Sequence, residues 1–263
     1  SRHCMIIDSV LDFDSSAGRT STESADAIIA HISDAGLSVD RILETHIHAD
    51  HITAAPYLKN ALGGEICIGS GVTEVQKTFG KLFNAGPEFA TDGSQFDRLL
   101  GDGEKFMVGE LGVTVMHTPG HTPACAAYHV GDALFVGDTF FMPDSGTARC
   151  DFPGGSSRIL YRSLQRMLSL PDETRVFVGH DYGADGVRDF AWETSIAEER
   201  AKNIHMAGGA TEADYVKARD ARDATLAMPR LILPSVQVNM RGGHFPPADD
   251  NGVSYLKLPL NSV

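Results

Sequence analysis

Along the chain, apolar positions switch between a period near 3.6 and a period of 2, and the switches lay out a mixed order of helices and strands. Residues 4–8 read as a short strand. Residues 14–20 are polar with Ser and Gly, hence a loop. Residues 23–35 carry Ala25, Ile28, Ile29 and Ile32 at helical spacing, with Ser21 or Thr22 as the cap. A strand is expected over 39–45, a helix over 54–62 that stops at Gly63-Gly64, and a strand over 65–68. Residues 70–101 are polar and glycine-containing; their Phe79, Phe83, Phe89 and Phe96 are expected to cover a site or pack a short helix. Strands resume at 105–108, 111–117, 124–130 and 133–137, with Gly109-Glu110 and Gly131-Asp132 as hairpin turns. After a loop over 142–157, residues 158–170 are amphipathic (Ile159, Leu160, Leu164, Met167, Leu168) and end before Pro171. A strand over 176–179 runs into His180. Residues 190–228 are charged and alanine-rich, hence mostly helical, and the tail from Pro229 is expected to be irregular. No internal repeat is present.

Composition narrows the class. The 263 residues are 42% hydrophobic and 22% charged, which fits one large globular domain or a domain with an appendage. A core over 1–185 with a helical and irregular extension over 186–263, packed on it within the same domain, is the expected division. No apolar run approaches the roughly 20 residues that span a bilayer, so no membrane segment is expected. No charged-then-apolar leader is seen. The net charge of −13 argues against a nucleic-acid partner, and leaves an anionic substrate to a local positive site such as a metal with arginines. The four cysteines, Cys4, Cys67, Cys125 and Cys150, are far apart and form no CxxC; reduced thiols and a cytoplasmic location are the default.

The chemistry concentrates where strands end. His46-Ile47-His48-Ala49-Asp50-His51 places three imidazoles and a carboxylate within six residues. Alternate residues of an extended segment share a side, so His46 and His48 can converge. Thr118-Pro119-Gly120-His121-Thr122, Gly137-Asp138-Thr139 and Gly179-His180-Asp181-Tyr182 follow the same grammar. Together they offer His46, His48, Asp50, His51, His121, Asp138 and His180. One strand-end histidine alone is more often structural and one Gly-Asp is usually a turn; the ordered set is what points to metal. Cys125, among Ala124, Ala126 and Ala127, reads as packing. Cys150 lies beside the candidate site with no sign of a lowered pKa. His117 and His129 sit within strand patterns, and His205 and His244 lack a partner motif.

The order His-x-His-x-Asp-His, Pro-Gly-His-Thr, Gly-Asp and a late Gly-His resembles the metallo-β-lactamase superfamily over about residues 4–185. The resemblance implies an α/β fold, a four-layer αβ/βα sandwich with the metal at one sheet edge. Within the superfamily, Thr45-His46-Ile47-His48-Ala49-Asp50-His51-Ile52-Thr53 looks like the Thr-His-x-His-Ala-Asp-His-Ile-Thr of persulfide dioxygenases. Arg149-Cys150-Asp151-Phe152 is similar to their Arg-Thr-Asp-Phe, Leu160-Tyr161-Arg162-Ser163 to their Leu-Tyr-x-Ser, and Asn239-Met240-Arg241 to their late Asn-Met-Arg. Gly179-His180-Asp181-Tyr182 has their His-Asp-Tyr, where the related glyoxalase II enzymes have His-Glu-Tyr. Cys150 departs from the usual threonine, and residues 185–228 are longer than in the shortest members.

The resemblance implies one Fe(II) per chain, held by His46, His121 and Asp138, with His48, Asp50, His51 and His180 around it as supporting residues or as ligands of a second metal. It implies a small-molecule persulfide, that of glutathione or a related thiol, oxidised with O2 to sulfite. The alternative carries two zinc ions: His46, His48 and His121 on one, Asp50, His51 and His180 on the other, and Asp138 bridging, to hydrolyse a glutathione thioester. Arg149 and Arg241 are candidates for the substrate's carboxylates by bidentate pairing, Tyr182 for a hydrogen bond near the metal. The competing reading of Arg149 is a structural pair with Asp151 or Asp144. A reading from another class is a non-catalytic metal-binding or interaction module; the complete ligand set argues against it. A homodimer is compatible with the sequence, but no interface is legible.

Overall fold

The computed structural model describes residues 2–262. In chain order the elements are β1 (His3–Ile7), β2 (Val10–Asp14), β3 (Arg19–Ser21), α1 (Glu23–Ala35), β4 (Ser38–Glu44), β5 (Ile52–Thr53), α2 (Ala55–Leu62), β6 (Glu65–Gly69), α3 (Val72–Leu82) and β7 (Arg98–Leu100). Then come β8 (Lys105–Val108), β9 (Leu111–His117), β10 (Ala126–Val130), β11 (Ala133–Phe135), α4 (Ser157–Leu168), β12 (Arg175–Phe177), α5 (Gly183–Gly186), β13 (Glu193–Ser195), α6 (Ile196–Lys202), α7 (Glu212–Asp223) and α8 (Ile232–Asn239). Contacts divide the chain into two units: residues 1–100, 108–110 and 227–263, and residues 101–107 with 111–226. No helix among the described residues is long and apolar enough to cross a membrane.

The first unit holds a parallel sheet in the order β1-β4-β6-β7 and a small antiparallel sheet in the order β3-β2-β5. β4 is central, and its Ile42 and Leu43 are wholly buried, as a parallel strand covered on both faces requires. α1 matches the spacing of its apolar residues and ends on Gly36 in the left-handed conformation. Thr22 stands at its N-cap, yet its hydroxyl donates to the Asp26 carboxylate (2.8 Å) instead of accepting a helix amide.

Residues 70–101 contain a short helix, α3, on which Val72, Val75, Gln76 and Phe79 repeat at helical spacing and are buried. Three expectations for this unit need correcting. The same stretch also contains the strand β7, whose three residues are too few for a periodic signal. The loop at 14–20 is shorter than expected, because Asp14 pairs with Arg19 in the β2–β3 ladder and its carboxylate accepts from the Ser16 amide (2.9 Å). The tail is not irregular throughout: α8 buries Ile232, Val236 and Val238. Its Pro234 stands in the first turn, where no intrahelical amide is needed.

The second unit is a six-stranded sheet in the order β13-β12-β11-β10-β9-β8. β11 and β12 are parallel and joined through α4, so both end at the same edge. α4 lays Leu160, Leu164 and Met167 into a core with Leu134, Val136, Phe140, Val176, Ile196 and Tyr215. The stretch expected to be mostly helical, 190–228, also contains β13, which adds an edge strand to β12; three residues are too few for a periodic signal.

Glu199 of α6 is wholly buried. One carboxyl oxygen accepts from Asn203 Nδ2 (2.6 Å), and the other has no hydrogen-bond partner among the described residues. Burial pushes its pKa from the ordinary 4.5 up to about 8. The folded state therefore keeps a proton that the unfolded chain releases. That stabilisation is complete below pH 4.5 and is lost as pH rises to about 8. In thermal melts from pH 5 to 8.5, the Tm of the native protein is expected to fall, and Glu199→Gln is expected to flatten that fall. An unchanged slope rules this out.

Candidate metal centre

In the first unit, β4 delivers its candidate ligands buried. Glu44, Thr45, His46 and His48 are each 2% exposed. Asp8, just beyond β1, organises them. One of its oxygens accepts from the Thr45 amide (2.7 Å) and from His48 Nε2 (3.0 Å), the other from the Thr45 hydroxyl (2.7 Å). With its proton on Asp8, that hydroxyl accepts from His46 Nδ1 (2.9 Å), which leaves Nε2 as the lone-pair nitrogen of His46. His48 Nε2 also meets Glu44 (3.3 Å). Burial alone would lower the His48 pKa, but Asp8 and Glu44 outweigh it and raise the pKa well above the usual value. In the same contact the Asp8 carboxyl, which burial would raise, is held below its usual range by His48 and Thr45.

His48 Nδ1 and His51 Nε2 are buried and have no hydrogen-bond partner among the described residues. One donor atom from each of His48, Asp50 and His51 lies within 4.8 Å of the others. A buried, unsatisfied imidazole nitrogen is costly unless something completes it. A cation fits that role: two orphaned nitrogens and a carboxylate are a nitrogen/oxygen donor set suited to Fe, Zn or Mn. The turn that presents them is held by Asn239 of α8. Its side chain donates to the carbonyls of His48 (2.9 Å) and His51 (2.8 Å) and accepts from the Thr53 amide (2.9 Å).

In the second unit, β9 leads into Thr118-Pro119-Gly120-His121. Gly120 has φ +138°, and a Cβ there would lie 2.3 Å from the Leu160 amide nitrogen of α4, so only glycine lets the helix approach. His121 is 4% exposed, and its Nδ1 donates to the Arg149 carbonyl (2.7 Å), which leaves Nε2 as acceptor or ligand. β11 and β12 end side by side, where the Gly179 amide donates to the Gly137 carbonyl (3.0 Å). Asp138 and His180 follow. Asp138 faces His121 Nε2 at 3.8 Å and His180 Nε2 at 3.4 Å. A Cβ at Gly179 would stand 3.2 Å from Asp138 Oδ1 and from the Gly137 carbonyl, a tight contact.

The carbonyl that orients His121 lies in a loop gripped by residues of the long 185–228 stretch. Asn203 Nδ2 donates to the Gly146 carbonyl (3.0 Å). The Thr147 amide donates to His205 Nδ1 (3.0 Å), and Thr147 Oγ1 meets the Tyr215 hydroxyl (2.8 Å). Arg219 donates to the Thr147 carbonyl (3.0 Å), and Asp223 accepts from the Cys150 amide (2.8 Å). Arg219 and Asp223, 5% and 4% exposed, form a buried ion pair at 2.6 Å. His205, which no motif had marked, is a neutral acceptor here; burial pushes its pKa down to about 4. Arg188 ties Asp144 to Asp181, whose carboxyl is held far below its usual range mainly by that guanidinium.

Of the substrate candidates, Arg149 gives its guanidinium to Asp151 (2.6 and 2.7 Å) and stacks over Phe152 (4.9 Å). Arg241 lies 4.5 Å over the Phe89 ring; its Nε is buried without a hydrogen-bond partner among the described residues, and burial lowers its pKa. Tyr182 is 56% exposed and meets Phe141 edge-on. Burial raises the Cys150 thiol far above its usual range, which removes it as a nucleophile. Cys125 is buried against Thr122. Asp8, Arg219 and Asp223 escaped the sequence reading, and Thr45 stood in its motif without a role. Asp8 could have been found by the strand-end rule that found Asp138, whereas the α7 pair carries no local signal.

The sequence pattern of the metallo-beta-lactamase superfamily matches residues 2–180. A protein of Burkholderia pseudomallei named "Probable metallo-hydrolase" is 57% identical over all of the chain and 92% of its own length. The "Glyoxylase B2" of Dictyostelium discoideum is 50% identical over 99% of the chain and 89% of its own length. The mitochondrial persulfide dioxygenase ETHE1 of Mus musculus is 29% identical over 92% of the chain and 80% of its own length. The crystal structure of ETHE1 from Myxococcus xanthus superposes with a TM-score of 0.72 at 29% identity, covering 93% of this chain and 90% of that one. The expected αβ/βα sandwich is the fold these likenesses show.

Asp223→Ala leaves Arg219 as a buried cation and frees the Cys150 amide. A loss of about 3–5 kcal/mol in urea unfolding is expected; a change below about 1 kcal/mol contradicts the clamp. Asn239→Ala removes three hydrogen bonds from the ligand turn, and is expected to cost about 1–3 kcal/mol in the same assay.

Proposed function

The chain belongs to the metallo-beta-lactamase superfamily, and from that premise we propose that it is an iron-dependent persulfide dioxygenase. Its substrate is the persulfide of glutathione or of a related small thiol. What carries the reading is the likeness to ETHE1 from Myxococcus xanthus over 93% of the chain, which extends beyond residue 180, where the superfamily pattern ends. The reaction is RSSH + O2 + H2O → RSH + SO3²⁻ + 2H⁺: the terminal sulfur is oxidised to sulfite, and O2 takes up the four electrons.

His46, His121 and Asp138 are the proposed iron ligands. Fe(II) held by these two imidazoles and one carboxylate would supply O2 activation together with affinity for a soft sulfur. The chain fixes the tautomers: Nδ1 of His46 is tied to Thr45, and Nδ1 of His121 to the Arg149 carbonyl, so both rings offer Nε2. His180, with its side chain 32% exposed, faces Asp138 and is placed to exchange the released protons with solvent. Burial of His46, His48 and His121 keeps bulk water away from the sulfur.

One observation favours the second reading, a two-zinc thioester hydrolase: the orphaned nitrogens of His48 and His51 beside Asp50 form a donor group of their own. Metal counting with turnover separates the two. The dioxygenase is expected to hold one iron per chain and to consume one O2 per sulfite formed from glutathione persulfide. It is expected to stop under anaerobic conditions and to lose iron and turnover in His121→Ala. Two zinc ions, with O2-independent cleavage of S-lactoylglutathione at comparable efficiency, overturn it.

A further inference from the structure

The β2–β3 hairpin ends in a charged pair that does not pair. Asp14 and Arg19 are direct cross-strand partners, a position where opposite charges ordinarily attract one another. No hydrogen bond or ion pair engages the Arg19 side chain among the described residues. Asp14 uses one oxygen within the turn, on the amides of Ser16 (2.9 Å) and Ala17 (3.3 Å). Both residues line a cleft of about 540 Å³ whose other lining residues include Asp50, His51, Ile52 and Leu231. One cleft therefore joins an uncommitted cation and anion to the donor group whose His51 Nε2 is buried and unsatisfied.

Charge selects the occupant. Asp12, Asp14 and Asp50 set three carboxylates against the single guanidinium of Arg19, so a simple anion is repelled. Asp12 is already engaged by the amide and hydroxyl of Ser24 (2.9 and 2.6 Å). A group with a carboxylate and an ammonium a few atoms apart meets both free charges and brings no net charge. Val10 and Leu11 in the lining offer apolar surface for the carbon chain that follows.

We propose that this cleft binds the α-amino-acid head of the thiol carrier, the carboxylate on Arg19 and the ammonium on Asp14. The proposal rests on the reading above for the identity of the carrier, a glutathione-like thiol. It adds the residues that select it over thiols without an amino-acid end.

The test is calorimetric titration of the metal-loaded protein with S-methylglutathione and with its analogue lacking the α-amino group. Arg19→Gln is expected to weaken S-methylglutathione binding about three- to tenfold, in line with exposed charge-assisted contacts. Asp14→Asn keeps an oxygen for the turn; it is expected to weaken S-methylglutathione by a similar factor and to leave the des-amino analogue's affinity where it is. Thermal melts check that both variants are folded. The proposal is overturned if the native protein does not bind S-methylglutathione, if either variant binds it as the native protein does, or if Asp14→Asn weakens both ligands alike. These outcomes do not depend on the chemistry. Variant effects as expected, with no O2 consumed on glutathione persulfide, sink the dioxygenase and leave the head-group site standing.

Discussion

The hydrogen bond from His121 Nδ1 to the Arg149 carbonyl, at 2.7 Å, fixes which nitrogen of that ring can meet a metal, and much of the second unit serves to keep that carbonyl in place. Residues 146–150 cannot do so alone, since they are an irregular segment. Their backbone groups are satisfied from outside by Asn203, His205, Arg219 and Asp223. The buried Arg219–Asp223 pair is expensive to desolvate, and its merit is geometric: each member spends a further bond on the loop's backbone. The long 185–228 stretch is thus a clamp on a ligand loop as well as a cover for α4.

His46 receives the same treatment in the first unit from different parts. A carboxylate at the end of β1 fixes a hydroxyl at the end of β4, and that hydroxyl fixes the ring. The two constructions obey one rule: a ligand imidazole must spend its other nitrogen on a defined acceptor. Asp8 is held ionised by His48 and Thr45 despite its burial, which is what allows it to accept from both. The Asn239 amide closes the arrangement by taking two carbonyls and one amide of the ligand turn, so the chain's last helix stabilises a turn nearly two hundred residues earlier.

A division of labour between the halves of the Asp50–His51 turn follows. Its buried side holds the unsatisfied His51 Nε2, and its outer side lines the cleft that reaches the Asp14–Arg19 pair.

The sequence alone determined what depends on local order. The spacing of Ala25, Ile28, Ile29 and Ile32 set α1, the strand ends set the seven candidate ligands, and Gly63-Gly64 set the end of α2. These signals are written in neighbouring residues, by helix period, strand alternation and backbone freedom. Tertiary structure alone decided the rest. α8 forms where Pro and Gly suggested an irregular tail because its apolar face is buried, and α3 forms because one side of a polar stretch is covered. Arg149, read from its side chain as a substrate residue, gives that side chain to Asp151 and its main-chain oxygen to His121. Asp223, 73 residues from the amide it accepts, carries no mark in its own neighbourhood. A hydrogen bond between distant residues is set by where the chain folds back, and local pattern holds no record of that distance.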